Sequence, residues 1–192
     1  MFACCHPALS DEYQIILTLK ILGGLSIREI STSLLKKEET IAKSYTRAKK
    51  KFKVDEIKLI LPPAHEIEKR LDNVLKIIYL LFNEGYKSAE GTELIRKELC
   101  EEAIRLNKVL LESEICDTPS ANALIALMHF HESRFDARVN DTGEIVTLEN
   151  QDRSKWNQDL INQGMIYLKK ASQAEIPNDY ICLLYTSPSP RD

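Results

Sequence analysis

Residues 25–53 decide the fold, and they read LSIREISTSLLKKEETIAKSYTRAKKKFK. Ser26 and Glu29 stand three positions apart in the pattern of a capping box, in which each side chain binds the backbone N–H of the other residue. Such a pattern marks the start of a helix. The sequence therefore predicts a short helix over Ile27–Leu35, a tight break, and a second helix from about residue 38.

The helix predicted from residue 38 has two chemically different faces. Apolar side chains recur on one side at α-helical spacing, at Ile41, Tyr45, Ala48 and Phe52. Polar and cationic side chains recur on the other side, at Lys43, Thr46, Arg47 and Lys50. At 1.5 Å per residue the helix is roughly 20 Å long, enough to lie across the major groove of DNA. We expect one face to pack on neighbouring helices and the other to meet a partner.

Charge is divided unevenly along the chain, whose net charge is −3. Residues 26–53 contain nine Lys and Arg but three Glu, whereas residues 54–181 contain 15 basic and 23 acidic residues. A basic segment beside an acidic one is typical of a protein in which one part contacts nucleic acid. A lysine-rich helix face that is merely solvated is the alternative, and charge alone does not separate the two.

The first part of the chain predicts a helix-turn-helix domain. Ser10 is placed to cap an earlier helix, and Gly23-Gly24 ends it. Together with the two helices of residues 25–53 this gives a three-helix domain over 1–54. Pro62-Pro63 cannot continue a helix, so residues 55–63 are predicted to be a linker.

The second part predicts an antiparallel helical domain over 64–181, and the fold class is therefore all-α. Apolar residues at helical spacing predict long helices there, including one from about Thr92 and a last one from about Ser154. Between them, Asn140-Asp141-Thr142-Gly143 has the composition of a turn. It predicts one short β-hairpin between Ala137 and Leu148.

Several classes of protein are not indicated by this sequence. There is no apolar run of 18 residues, and the N-terminal residues lack the pattern of a secretory signal. The five cysteines are odd in number and irregularly spaced, so we expect no disulfide framework and a cytoplasmic protein. Cys4-Cys5-His6 and His129-Phe130-His131 lack the paired spacing of zinc ligands. The sequence predicts no enzyme, catalytic residue, metal site or cofactor.

The residues expected to bind DNA follow from the geometry of a helix-turn-helix. Its first helix braces on the DNA backbone, while the second directs its N-terminal half at base edges. Four side chains are therefore expected to read bases, namely Thr40, Lys43, Ser44 and Arg47. Three more cations are placed to neutralise phosphates, namely Arg28, Lys50 and Lys51.

Several strings of residues together resemble one family. GLSIREIS at 24–31, EETIAK at 38–43 and RAKKKF at 47–52 resemble region 4 of bacterial extracytoplasmic-function sigma factors, in which Glu-Ile-Ala, Thr-Val and Arg-Ala-Lys occupy corresponding places. Further strings resemble the subgroup with a long helical, tetratricopeptide-like C-terminal extension: CCHPAL at 4–9, LLFNEGY at 80–86, LCEEAIRL at 99–106 and DRSKW at 152–156. The resemblance covers nearly all of residues 2–181.

This resemblance implies a function and two partners. Region 4 of such factors binds the minus-35 element of promoter DNA and touches the β flap of the RNA polymerase core, and the extension is expected to modulate activity in place of a separate anti-sigma protein. Two residues depart from the family pattern. Lys36 stands in the turn where members often carry an apolar residue, and Ser31 replaces a small apolar alanine. Both departures concern packing rather than the class of protein.

The resemblance also raises expectations about both ends of the chain. Region 2, which melts DNA and grips the polymerase, normally precedes region 4, so we expect Met1 to be internal to a longer gene product. Residues 182–192 turn abruptly rich in Ser and Pro and resemble the in-frame translation of a sequencing adapter. We therefore expect the natural extension to continue beyond Ile181 in a different sequence.

Two other functions stay open at this point. One is a stand-alone helix-turn-helix transcriptional regulator whose helical domain senses a ligand or a partner. Binding to RNA polymerase separates it from a sigma factor. The other is a helical scaffold with an incidental basic helix, for which a DNA titration would show no dependence on salt.

Overall fold

The computed structural model describes residues 1–87, 95–140, 142–173 and 178–186, and every regular element within them is helical. The α-helices are α1 Asp11–Ile21, α2 Ile27–Ser33, α3 Glu38–Val54, α4 Ala64–Tyr86, α5 Lys97–Leu111, α6 Pro119–Glu132, α7 Phe135–Arg138, α8 Gln158–Ala171 and α9 Asp179–Thr186. Two short 3-10 helices, Leu148–Asn150 and Arg153–Lys155, lie between α7 and α8. The predicted all-α class is confirmed.

The predicted β-hairpin is wrong in extent. Val139 and Ile145 form a single antiparallel bridge, and no strand occurs in the described part of the chain. Gly143 has φ +80°, as a tight turn requires, whereas Asp141 lies outside the described residues. The bridge cannot extend because Ala137 and Arg138 already belong to α7, and Leu148 begins a 3-10 helix.

The chain divides into two compact units, Met1–Leu99 and Cys100–Asp192. In the first unit α3 packs on α1 and α2, and α4 also packs on α1 and α2. This unit therefore extends beyond the predicted linker and includes the first long helix that follows it.

Local sequence explains the helix starts of the first unit. The Ser10 hydroxyl accepts a hydrogen bond from the Tyr13 backbone N–H at the start of α1. The predicted capping box of α2 is confirmed, because the Ser26 hydroxyl accepts from the Glu29 N–H at 3.0 Å and the Glu29 carboxylate accepts from the Ser26 N–H at 2.5 Å. Gly24, between the two helices, has φ +69°, a conformation that favours glycine.

The core of the first unit forms around the inner faces of these helices. One cluster joins the buried residues Leu9, Leu17, Ala48 and Ile57, with Tyr13, Tyr45 and Phe52 packed partly against it. Ile57 is the first linker residue with a buried side chain, whereas Leu59, Ile60 and Leu61 remain exposed. The segment before α4 is thus anchored at Ile57 and again at the buried Pro62.

Helix α6 is the centre of the second unit. Its residues from Ala121 to His129 are all buried, and both α8 and α9 pack against it. Gly164 in α8 permits the close approach, because a Cβ atom at this position would stand 2.7 Å from the Phe130 ring. Ala123, Ala171 and Ile181 form a second core cluster where α9 meets this pair.

Several boundaries in the second unit differ from the predicted ones. The helix predicted from Ser154 begins at Gln158, because the Asn157 side chain accepts hydrogen bonds from the backbone N–H groups of Asp159 and Leu160. Trp156 precedes this helix and is buried. The helix expected from Thr92 begins at Lys97 in the described part, and Thr92 itself lies outside it.

A half-buried histidine, His131, sits at the end of α6. His131 Nδ1 lies 2.6 Å from Arg134 Nη2, and the Arg138 guanidinium is also near. Burial is the largest cause that lowers the pKa of His131, followed by these two guanidinium groups, and the result is a pKa of about 3. His131 is therefore neutral at physiological pH and accepts the hydrogen bond from Arg134.

No helix in the described ranges is both long enough and apolar enough to cross a lipid bilayer.

Candidate nucleic-acid interface

Helices α2 and α3 and the turn between them have the arrangement of a helix-turn-helix. The turn is short, because α2 ends at Ser33 and α3 begins at Glu38. Leu35 adopts φ +53° and is 93% exposed, so it changes the direction of the chain without contributing to the core. The backbone N–H of Lys36 then donates to the Ser31 carbonyl at 2.9 Å and closes the turn.

The inner face of α3 is apolar, as the sequence pattern predicts. Ile41 and Ala48 have no exposed surface, and Tyr45 and Phe52 are partly buried against the same core. Because α3 has 3.6 residues per turn, this stripe fixes which side chains point away from the protein. It directs Lys43, Arg47 and Lys50 to the opposite side of the helix.

Six of the seven predicted DNA-binding residues are exposed. They are Arg28 near the start of α2 and, along α3, Thr40, Lys43, Arg47, Lys50 and Lys51. Lys43 forms an ion pair with Glu39 within α3, at 2.6 Å. Lys51 forms one with Asp55, just beyond the end of α3, at 2.7 Å. Both pairs are solvent-accessible, so a phosphate can compete for these lysines at little cost.

Ser44 is the seventh predicted residue, and it differs from the others. Its side chain is half-buried, and its hydroxyl donates a hydrogen bond to Glu12 Oε1 at 3.2 Å. The side of α3 that carries Ser44 therefore faces α1. The structure thus brings Thr40, Lys43 and Arg47 together on the outward surface and directs Ser44 toward the protein.

Glu12 is a residue of this region that sequence reasoning missed. Besides Ser44 it accepts a hydrogen bond from Lys36 Nζ at 2.7 Å, so one carboxylate in α1 holds both the turn and α3. The contacts join residues 24 and 32 positions apart, and no local pattern predicts them. The Glu39–Lys43 pair was also missed, although its i, i+4 spacing was a usable signal.

The two helix starts offer different surroundings to a phosphate. At α2 the capping box occupies the N–H groups of Ser26 and Glu29. At α3 the residue before the helix, Lys37, makes no side-chain cap, and Glu38 and Glu39 occupy the first turn. These carboxylates interact favourably with the helix dipole, but they repel a phosphate. The cationic part of the surface therefore begins about one turn into α3, at Lys43.

In the comparison with known proteins, two family models match different parts of the chain. Residues 70–172 match a family of unknown function, DUF6596, over more than half of the chain. The chain belongs to this family. Residues 1–52 match region 4 of sigma-70, which supports a factor of the sigma-70 family. Region 4 has a DNA-binding role in sigma factors.

A relative with a similar sequence occurs in Rhizobium meliloti (strain 1021), where it is described as an uncharacterized protein. It is 37% identical over 180 residues, which are 94% of this chain and 42% of the relative. The chain therefore spans less than half the length of this relative. No solved structure matches the chain.

Proposed function

We propose that this chain is part of an extracytoplasmic-function sigma factor that binds the minus-35 element of promoter DNA and the RNA polymerase core at its β flap. One observation carries the proposal. Within the segment that matches sigma-70 region 4, α3 buries Ile41 and Ala48 completely and exposes Lys43, Arg47 and Lys50 on the other side. A helix of this kind packs by one face and remains available to a DNA groove by the other.

The exposed residues divide into two roles under this proposal. Thr40, Lys43 and Arg47 lie in the first ten residues of α3 and are placed to reach base edges. Ser44 keeps its proposed role at the margin of that surface, since releasing its hydroxyl requires breaking the bond to Glu12. Arg28, Lys50 and Lys51 are proposed to contact phosphates, which hold the protein in register without reading sequence.

The organisation of the chain follows the two family matches. We propose a DNA-binding domain over 1–54, a linker over 55–63, and a helical domain over 64–181 that modulates activity. The matches to residues 1–52 and 70–172 support these limits. A sigma factor acts with RNA polymerase, so the proposed location is the cytoplasm. The proposal assigns no catalytic residue, metal or cofactor to the chain.

Selection from a random duplex library tests the DNA-binding part. The chain should enrich one sequence motif, and its affinity for that duplex should fall steeply between 50 and 200 mM salt, roughly tenfold or more if three phosphates are neutralised. A titration without dependence on salt or sequence would contradict the proposal and favour a helical scaffold.

A pull-down with core RNA polymerase tests the polymerase part. The chain should be retained by core enzyme, and a β subunit without its flap should retain less. Sequence-specific DNA binding without any retention would instead identify a stand-alone regulator. A variant in which Arg105 is replaced by Gln makes a suitable control, because this exposed residue of α5 lies outside the region 4 match.

A further inference from the structure

Glu29 in α2 uses its two carboxylate oxygens for two different contacts. Oε2 accepts from the Ser26 backbone N–H and completes the capping box, while Oε1 accepts from Arg96 Nη1 at 2.6 Å. The Glu29 side chain is 7% exposed and that of Arg96 is 30% exposed. An ion pair so shielded from water is sensitive to loss of one partner, since the remaining charge stays buried.

Arg96 is itself held by the end of α4. Its backbone N–H donates to the Gly85 carbonyl at 2.8 Å, so the same residue contacts both α4 and the start of α2. Gly85 and Arg96 lie in the segment that matches DUF6596, whereas Glu29 lies in the segment that matches region 4. The ion pair therefore connects the segment that matches DUF6596 to the segment that matches region 4, within one compact unit.

Three more hydrogen bonds join the same segments, from two residues in the first half of α4. Arg70 Nη1 donates to the Phe2 carbonyl at 3.0 Å. Asn73 Nδ2 donates to Asp11 Oδ1 at 2.9 Å and to Gln14 Oε1 at 2.8 Å. Helix α4 and Arg96 thus hold α1 and α2, the two helices that do not carry the exposed cationic face. The contacts to α1 lie near its start, and the contact to α2 lies in its first turn.

The position of α2 matters for reading DNA sequence. In a helix-turn-helix the first helix contacts the backbone while the second reads bases, and specific binding needs both contacts at once. If α2 shifts relative to α3, Arg28 and Arg47 no longer reach their phosphate and base together. Non-specific binding depends on total charge and tolerates such a shift.

We propose that Arg96 is a positioning residue for promoter recognition, through which the DUF6596 segment holds α2 by its Glu29 carboxylate. This assigns the start of that segment a role as a brace of the DNA-binding domain. The inference rests on the proposed function, because it requires that the chain read DNA sequence. It does not require that Arg96 touch DNA.

Four variants of the whole chain test this role: Arg96→Gln, Arg96→Lys, Glu29→Gln and the double variant with both glutamines. Glu29→Gln retains an oxygen that can accept from Ser26 and removes the nearer of the two carboxylates that Arg96 binds, the other being Glu98 at 3.6 Å. Arg105→Gln is the matched control, because it removes the same charge from the Glu102–Arg105 pair, which is exposed on α5. Affinity is measured by fluorescence anisotropy for the selected duplex and a shuffled duplex at several salt concentrations. Circular dichroism establishes that each variant is folded at the assay temperature.

Three results are expected together. Arg96→Gln and Glu29→Gln should each weaken binding to the selected duplex by roughly 3- to 10-fold, and the double variant should be no weaker than either, because both changes break one contact. Arg96→Lys should recover part of the affinity. Binding to the shuffled duplex and the dependence of affinity on salt should match those of Arg105→Gln.

Two results would overturn the positioning role while leaving the proposed function intact. In one, the slope of log affinity against log salt falls by about one unit in Arg96→Gln, while Glu29→Gln has no effect on binding. This result would make Arg96 a direct phosphate contact. The other is wild-type affinity in Arg96→Gln. Failure of the wild-type chain to prefer any duplex is a separate outcome, and it would overturn the proposed function and this inference with it.

Discussion

Helices α3 and α6 have similar lengths, 17 and 14 residues, but bury very different shares of their surface. Only Ile41 and Ala48 are fully buried in α3, whereas nine consecutive residues are buried in α6. A helix that is apolar all round serves a core, and one with a single apolar stripe keeps a face for solvent or a partner. Substitutions should therefore change stability at α6 and DNA binding on the outer face of α3.

The largest effect is expected in the core around α6. Leu124→Ala removes a side chain with no exposed surface and should destabilise the fold by about 3 kcal/mol, from lost burial and the cavity left behind. Urea unfolding measures this change. Ile166→Ala, at an exposed position of α8, should stay within about 0.5 kcal/mol of wild type. If the two variants are equally stable, α6 is not the packed centre of its unit.

The outer face of α3 should behave in the opposite way. Arg47→Ala should weaken binding to the selected duplex by ~1–3 kcal/mol and relax its sequence preference, if Arg47 reads a base. Its unfolding curve should overlay that of wild type, because the side chain is exposed. Anisotropy titrations with single-base variants of the duplex give the measurement. If Arg47→Ala left the affinity for the duplex unchanged and lowered the stability of the fold, the outer face of α3 would act in packing, as α6 does.

His131, in the last turn of α6, should make the stability of the fold depend on pH. The pKa of His131 is lowered from 6.5 to about 3 in the folded protein. Below pH 6.5 the unfolded chain takes up a proton that the folded protein does not, so stability is present above this pH and falls as the pH falls toward 3. Between pH 6.5 and 4.5 the loss from this group should be about 2 kcal/mol.

Urea unfolding of wild type and His131→Gln over this range gives the test. Glutamine can still accept a hydrogen bond from Arg134 but does not titrate. The difference in stability between the two proteins should therefore shift in favour of the variant as the pH falls. Parallel curves would contradict the assignment of a neutral imidazole with a lowered pKa.

The smallest predicted effect concerns one phosphate contact. Lys50→Ala should weaken all duplexes alike and lower the slope of log affinity against log salt by about one unit. Lys108→Ala, which removes the same charge from an exposed position of α5, should leave the slope unchanged. A change in sequence preference in Lys50→Ala would instead place this lysine among the base-reading residues.

The two helices also differ in how far the sequence predicted them. In α3 the apolar spacing of Ile41, Tyr45, Ala48 and Phe52 gave the buried face, and the exposed cations followed by geometry. In the second unit the start of α8 was misplaced because Trp156 fits the apolar pattern of the helix that follows it. The side chain of Asn157 caps α8, so the helix begins at Gln158 and Trp156 lies before it.

The sequence predicted that most of the candidate residues are exposed, but it did not predict the contacts that hold their helices in place. Local spacing gave Arg28, Lys43 and Arg47, because each belongs to a helix whose own pattern sets its face. It could not give Glu12, which binds Ser44 across 32 positions. It could not show that Ser44 turns toward α1 either, since a serine fits both a polar and a half-buried position.

The sequence by itself determined where α2 starts, which face of α3 is buried, and that the exposed face is cationic, because capping and 3.6-residue periodicity act between residues a few positions apart. Only the tertiary structure decided that Glu29, a capping residue by its spacing, also binds Arg96 across 67 positions. Such a contact depends on the path of the whole intervening chain, since an ion pair has no preferred sequence separation. The tertiary structure likewise decided that α4 belongs with α1, α2 and α3 rather than with the helices that follow it.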